Sequence, residues 1–481
     1  MQLIQTSTFI AYYFIIFLIV FLSYKRRLSN TDFIIGDRKL NFWLTALSAH
    51  ASDMSAWLFL AYPAQIFLSG AFSAWAGIGL TVFMFINWQF IAPKIRVATE
   101  QSNSLTLNAY FENRFADKTH FLRIVSGVMT LFFFTVYICS GLVSMGYLVE
   151  SLFSLPYTVG ISFGVFLVML YVFLGGYTTV AWIDLFQGFF LLAIIIFIPT
   201  ILLIKMGGFL AITDIAHLRN ISLSLLPDFS ANTLYKIITL SAGWGLGYLG
   251  QPHIITKFMG IKNVTDIKKS KYLGISWQIL ALGGATFIGL IGIALFPMGV
   301  ENSELIALET VKSSLHPFFS ALVLCAIIAA TTNVMAAQIL VVASSVTEDF
   351  YKRLFRKTAT SKELLICSRV SVLIISLIAF FIAYFKISSI YNLVLFAWTG
   401  LGTSFGPLVL ISLYNKNINK QGAIAGIITG GTISALMPYL AKYLNIVDPP
   451  TMIIGFLSSS IMIILVSKLT RKKTEGIILE N

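Results

Sequence analysis

Asp53 stands in the run Ser48-Ala49-His50-Ala51-Ser52-Asp53-Met54-Ser55-Ala56-Trp57, where three serines, an imidazole and a carboxylate crowd ten residues of an apolar stretch. Carboxylate, hydroxyl and backbone carbonyl oxygens are hard ligands, suited to a small cation or to the charged ends of a polar solute. An ionisable group inside such a stretch costs roughly 3 kcal/mol or more at membrane depth, so it faces a cavity or a partner. Two readings follow: a kink whose polar groups satisfy each other and the backbone, or a broken helix lining a site. The density of oxygen ligands favours the second. Of the twenty acidic residues, only Asp53 and Asp184 lie within apolar runs.

A second anomaly is Ser241-Ala242-Gly243-Trp244-Gly245-Leu246-Gly247-Tyr248-Leu249-Gly250-Gln251-Pro252. Its four glycines and its proline predict unwound backbone, with Trp244 and Tyr248 on one face of whatever helix survives. Taken alone, it also fits a closely packed helix of small residues. A third candidate is the stripe Ala330, Asn333, Val334 and Ala337, at helical spacing, with Thr331 and Thr332 to one side. A lone Asn there either bridges helices or offers an amide oxygen to an ion. Cys139, Cys325 and Cys367 each sit in an apolar run and read as small core residues rather than disulfide partners or metal ligands.

The elements that position these groups must lie in lipid. With 57% hydrophobic and 11% charged residues over 481 positions, and a mean hydropathy of +0.86, the chain has too little charge to cover a water-soluble surface. Runs of about 20 apolar residues, each enough to cross roughly 30 Å of hydrocarbon, fall at 7–24, 43–68, 72–93, 121–147, 157–176, 180–205, 235–254, 273–297, 316–347, 367–385, 391–412, 422–444 and 451–468. This predicts an all-α polytopic membrane protein with thirteen transmembrane helices. The first run has no basic residue before it and Lys25, Arg26 and Arg27 after it, the reverse of a cleavable signal peptide. Basic residues mark the cytoplasmic loops. With the N-terminus outside and the C-terminus inside, all of the 33 lysines and arginines fall inside except Lys205, Arg219, Lys236, Lys312, Lys386 and Lys442. The formal net charge of +13 is therefore topological, and nucleic acid drops out as a partner. No extramembrane domain interrupts the spans, which argues against a receptor kinase, a membrane-anchored enzyme or a sensor; no required protein partner is evident.

The two anomalies open two blocks of five spans, 2–6 and 7–11, as expected of an inverted repeat whose discontinuous helices cross near the midplane. The organisation read from this is an extra helix and first cytoplasmic loop (1–42), a first five-helix repeat (43–205), an outer loop (206–234), a second repeat (235–412), and two extra helices with a cytoplasmic tail (413–481).

Several runs together resemble the solute:sodium symporter family, in particular its bacterial members that take up proline. They are Leu44-Thr45-Ala46-Leu47-Ser48-Ala49, Ala51-Ser52-Asp53-Met54-Ser55, Gly243-Trp244-Gly245-Leu246-Gly247-Tyr248 and Gly250-Gln251-Pro252-His253-Ile254. Leu107 to Phe115 with Asp117-Lys118, Trp182 with Asp184 and Gln187, and Thr347-Glu348-Asp349 with Tyr351-Lys352 add to them, in order, from about residue 30 to 430.

The resemblance implies a LeuT-type fold in a bacterial inner membrane and symport of an amino acid, proline or similar, with sodium. It assigns solute contacts to Ser55, Trp57, Tyr137, Trp244, Tyr248 and Pro252. Sodium falls to Ala51, Met54, Asp53, Ala330 and Asn333, and coupling to Arg38 and Asp184, to which His50 is added for its own chemistry rather than by the resemblance. There are two departures. The family places two adjacent hydroxyls where this chain has Asn333 and Val334, so at least one side-chain oxygen is lost. His50 replaces a small residue; an imidazole near Asp53 either shuttles protons or fills space. Proton coupling, another solute (pantothenate, a sugar, a carboxylate) and a transport-deficient solute sensor are the alternatives.

Overall fold

The computed structural model of the chain describes residues 2–23, 29–446 and 449–471. Lys25, Arg26, Arg27, Lys472 and Lys473, counted above among the inward basic residues, lie outside them. The chain runs α1 (Gln2–Ser23), α2 (Asn30–Ile35), α3 (Phe42–Ala51), α4 (Tyr62–Ser69), α5 (Ala74–Ile86), α6 (Ala92–Gln101) and α7 (Leu107–Arg114). Next come α8 (Phe121–Phe153), α9 (Tyr157–Lys205), α10 (Leu210–Leu218), α11 (Ala231–Gly245), α12 (Pro252–Gly260) and α13 (Ile267–Leu295). The remainder is α14 (Ile306–Ser314), α15 (Pro317–Ser344), α16 (Ser361–Tyr384), α17 (Ile390–Tyr414), α18 (Lys420–Leu444) and α19 (Thr451–Leu469). No strand occurs among the described residues; Leu40 and Ile261 form one isolated parallel bridge.

By length and composition, ten helices among the described residues can cross a membrane. Of the expected spans that do not qualify, 43–68 and 235–254 are interrupted by non-helical turns, and 157–176 is represented by a shorter apolar helix, Tyr157–Leu170. At Gly176 (φ 59°, ψ −159°) α9 breaks in a left-handed conformation open to glycine, and an added Cβ would meet Phe33 at 2.7 Å. The chain folds back there. Its outgoing end, Lys205, donates to the Ser314 carbonyl, and Lys312 nearby donates to Ser151, just before α9 begins.

The segment 206–234, expected as a loop, contains α10. The helix after the glycine-rich run extends to Gly260, beyond the expected limit of 254, and the helix over the Asn333 stripe continues past 347 as a wide π-helical stretch, Ser345–Phe355. Both extensions carry charges from expected loops into the protein: Lys257, Glu348 and Asp349 are buried.

The first break follows Ala51. The amides of Asp53 and Met54 both fall back on the His50 carbonyl at 3.3 Å, and Ser55 Oγ accepts from the Trp57 amide at 3.2 Å, a capping role that restarts the helix. The second break has different chemistry. After Gly245 the chain tightens into a 3-10 turn, Leu246–Gly250, and Gln251 is extended (φ −83°, ψ 106°), as the residue before a proline must be. Pro252, with no N–H to satisfy, opens α12. Neighbours take up the backbone: Trp398 Nε1 donates to the Trp244 carbonyl (2.8 Å) and Asn87 Nδ2 to the Tyr248 carbonyl (2.9 Å). Glycine is required by approach: a Cβ on Gly247 would lie 2.0 Å from Trp398 Nε1, and one on Gly250 would lie 2.4 Å from the Gly406 amide. α15, buried from Ser320 to Ser344 except at Leu322 and Val341, packs along α8 and α9 and touches α3 and α12. A helix apolar all round belongs in such a place.

Candidate solute and cation site

Where the two breaks meet, Asp53, Met54, Ser55, Trp57, Tyr137, Trp244, Tyr248, Leu80, Val394 and Trp398 line a partly open cavity of about 250 Å³. The hydroxyl of Tyr248 donates to Asp53 Oδ2, joining one break to the other. Trp57 lies between Tyr62 (ring centroids 4.8 Å, stacked) and Trp244 (4.9 Å), and Trp244 meets Tyr391 at 5.6 Å, so aromatic rings close the cavity towards the start of α17. The buried Trp57 Nε1 has no partner and is a donor available to a solute.

Five of the six expected solute residues are thus gathered here. Pro252 is not: it lines a second cavity, of about 470 Å³, between α12 and α15, with His253, Lys257, Asn108 and Ser345. Both nitrogens of the fully buried His253 are unpartnered. Of the expected sodium residues, Asp53 and Met54 face the first cavity, and Ala51 ends α3. Ala330 and Asn333 are buried on α15, with Asn333 Nδ2 unpartnered, while Thr331 and Thr332 donate to carbonyls of their own helix.

The expected coupling residues are dispersed. Asp184 accepts from Ser48 Oγ (2.5 Å) and Lys257 Nζ (3.0 Å), leaving Oδ1 unpartnered. Arg38 is a clamp, donating to carbonyls of Met259 (2.8 Å), Thr99 (3.0 Å) and Ser104 (2.8 Å). Beside it, Arg96 Nε donates to the Ile261 carbonyl at 2.6 Å and the amide of Lys262 to Leu40 at 2.8 Å, tying the end of α12 to the entry of α3. His50 makes no side-chain bond to Asp53; its Nε2 accepts from Trp88 Nε1 at 3.1 Å.

Sequence reasoning missed a charge network at this same end. Asp349 accepts from Thr106 (2.8 Å), Asn108 (2.8 Å) and Arg123 (2.7 Å), and Glu112 accepts from Arg123 (2.9 Å), Arg353 (2.7 Å) and His120 (2.6 Å). Burial pushes the Glu112 carboxyl up, but these hydrogen bonds outweigh it and hold the group below its ordinary value. Lys257 was discoverable, since a carboxylate as deep as Asp184 calls for a cation and Lys257 lies one turn past Pro252.

An all-helical chain with membrane-length helices, and a largely aromatic cavity with one carboxylate held between two discontinuous ones, has the make-up of a carrier. The sodium:solute symporter family model matches residues 33–430. The high-affinity proline transporter PutP of Bacillus subtilis (strain 168) is 38% identical over 466 residues, covering 96% of this chain and 97% of that protein. A sodium/proline symporter of Staphylococcus aureus is 39% identical over 480 residues, covering 97% and 93%. The substrate-bound, outward-open structure of a Na+-coupled sialic acid symporter superposes with a TM-score of 0.81 at 16% identity, over 97% of this chain and 98% of that one, which shows a shared fold. The chain belongs to the sodium:solute symporter family, whose members are multi-pass membrane transporters.

Proposed function

We propose that this protein imports L-proline, or a close analogue, together with sodium by alternating access in a bacterial inner membrane. The observation that carries the reading is the Tyr248–Asp53 bond between the two breaks, inside a cavity walled by Trp57, Tyr137 and Trp244. A pyrrolidine ring suits aromatic walls, the carboxylate of a zwitterion suits the free Trp57 N–H, and Asp53 supplies charge for the ion. Sodium lies between the first break and α15, held by carbonyls of Ala51, Met54 and Ala330 and the amide oxygen of Asn333, with Asp53 close by. Ser55 and Pro252 border the solute on its way in and out. Arg38 and Asp184 act on the inner closure, and binding of both ligands favours one closed state, which is the coupling.

The topology that goes with this has thirteen spans, two repeats over 43–205 and 235–412, the N-terminus outside and the C-terminus inside. Cysteines at Lys269 and Lys357 are then labelled from the cytoplasmic side and one at Asn302 from the outside; the reverse pattern removes the topology. The solute is tested by uptake of labelled proline in cells expressing the protein, with unlabelled proline, pantothenate, hexose and monocarboxylate as competitors. Competition by proline alone supports the reading; competition by one of the others, without proline, contradicts it.

A further inference from the structure

Asp53 and Asp184, the two carboxylates that stand within apolar runs, are answered by different chemistry. Asp53 accepts from the neutral phenol of Tyr248, and no lysine or arginine pairs with it among the described residues. Asp184 has a cation of its own: Lys257 Nζ lies 3.0 Å from Oδ2, with the lysine side chain 2% exposed and the carboxylate not at all. The Ser48 hydroxyl donates to the same oxygen at 2.5 Å, and the buried Oδ1 is left without a partner. Tyr177, directly after the reversal at Gly176 and about two turns before Asp184, fixes the lysine from the other side. Its hydroxyl donates to the Thr256 carbonyl at 3.1 Å, and the centre of its ring lies 5.0 Å from Nζ.

A buried carboxylate with one free oxygen and an adjoining hydroxyl is a set of hard ligands of the kind a sodium ion accepts. At Asp184 an ammonium that belongs to the chain already fills it. A cation tethered to α12 stays with the protein, so it neutralises the carboxylate without crossing the membrane and without drawing on a sodium gradient. Asp53 has no tethered partner and takes its counter-charge from solution. We propose that Lys257 is a resident cation: its ammonium holds the place at Asp184 and Ser48 that a second sodium would take, and so fixes transport at one sodium for each solute. A zwitterionic solute adds no net charge, so one positive charge enters in each cycle.

The inference rests on the reading of Asp53 as the carboxylate of the transported ion. Its test uses proteoliposomes with the membrane potential clamped at zero, and measures the proline ratio at which net flux of labelled proline vanishes against the imposed sodium ratio. The proteins compared are wild type, Lys257→Gln, Lys257→Arg and the double variant Lys257→Gln/Asp184→Asn. At balance the proline ratio equals the sodium ratio raised to the number of sodium ions carried with each solute. A tenfold sodium ratio therefore holds about a tenfold proline ratio in wild type and about a 100-fold ratio in Lys257→Gln, whose uncovered carboxylate takes a second ion. Sodium activation, hyperbolic in wild type, becomes sigmoidal in that variant. Lys257→Arg, which keeps a cation, and the double variant, which removes the carboxylate, both balance at the wild-type ratio. A lysine needed only for packing would change the rate or the amount of transporter and leave the balance point where it was. An unchanged balance point in Lys257→Gln overturns the proposal. So does a balance near 100-fold in wild type, a result that stands even if Lys257→Gln does not reach the membrane. Wild-type uptake that no sodium gradient drives fails the reading of Asp53 and the stoichiometry with it, whereas sodium-driven uptake with the wrong balance point fails the resident cation alone.

Discussion

The two helix breaks face one cavity and are built oppositely. The first, at 52–56, is made of side chains: Ser52, Asp53 and Ser55 stand in the gap, and the backbone recovers through its own serine cap. The second, at 246–251, is made of missing side chains: its glycines let Trp398 and the Gly406 backbone press against it, and its carbonyls are satisfied from outside by Trp398 and Asn87. A break that carries ligands can be altered chemically with the fold kept, whereas a break that depends on close approach fails in packing first. On the proposed reading, the first break carries the charge and ion chemistry and the second mainly shape.

Replacing Asp53 by Asn should break the first half of this comparison most strongly. The side chain keeps its size, so the protein reaches the membrane, while sodium-stimulated uptake falls by about 100-fold or more for loss of a buried, charge-assisted partner. Wild-type sodium dependence in Asp53→Asn would remove the first break from the ion site. At the second break, Gly247→Ala forces a methyl into Trp398, with an overpacking cost of about 1–3 kcal/mol. The expected outcome is several-fold less transporter in the membrane with near-normal affinity in what remains; normal abundance would show that the approach is not needed. Trp244→Ala should weaken proline affinity by roughly tenfold, from loss of one aromatic wall, and leave sodium activation of residual uptake nearly unchanged. Equal shifts in both ligands would merge the two roles assigned to the breaks. The smallest effect is expected on α15: Val334→Thr restores a hydroxyl beside Asn333 and should lower the half-activating sodium concentration about two- to fivefold, because a fixed ligand replaces a water that costs entropy to hold.

Both breaks were legible in the sequence because each disturbs a local pattern, one by oxygen density and the other by glycine and proline. The aromatic residues Trp57, Tyr137, Trp244 and Tyr248 came from family resemblance, and the structure brings them round one cavity. Pairings across the fold were not legible. Trp88, Gln278 and Trp398 are single polar or aromatic residues on long helices, with no spacing to mark them, and their partners are chosen by packing between helices far apart in sequence. Lys257, Glu348 and Asp349 were read as loop charges because hydropathy ends a span where the first charges appear. Helix hydrogen bonding continues for another turn or more, carrying those charges to buried partners. The reversal at Gly176 was legible to within a few residues, because the Gly175-Gly176 pair falls where one expected span ends, at 176, and the next begins, at 180.

The central claim is that the charge at the first break couples proline to sodium. It is tested most directly in proteoliposomes, by measuring labelled proline uptake under an inward sodium gradient and, separately, an inward proton gradient, for wild type and Asp53→Asn. The account predicts accumulation in wild type under the sodium gradient only, enhanced by an inside-negative potential worth about 2.3 kcal/mol per charge at 100 mV, and no accumulation in Asp53→Asn under either gradient. Accumulation driven by protons in sodium-free buffer, or sodium-driven accumulation that survives in Asp53→Asn, would contradict it.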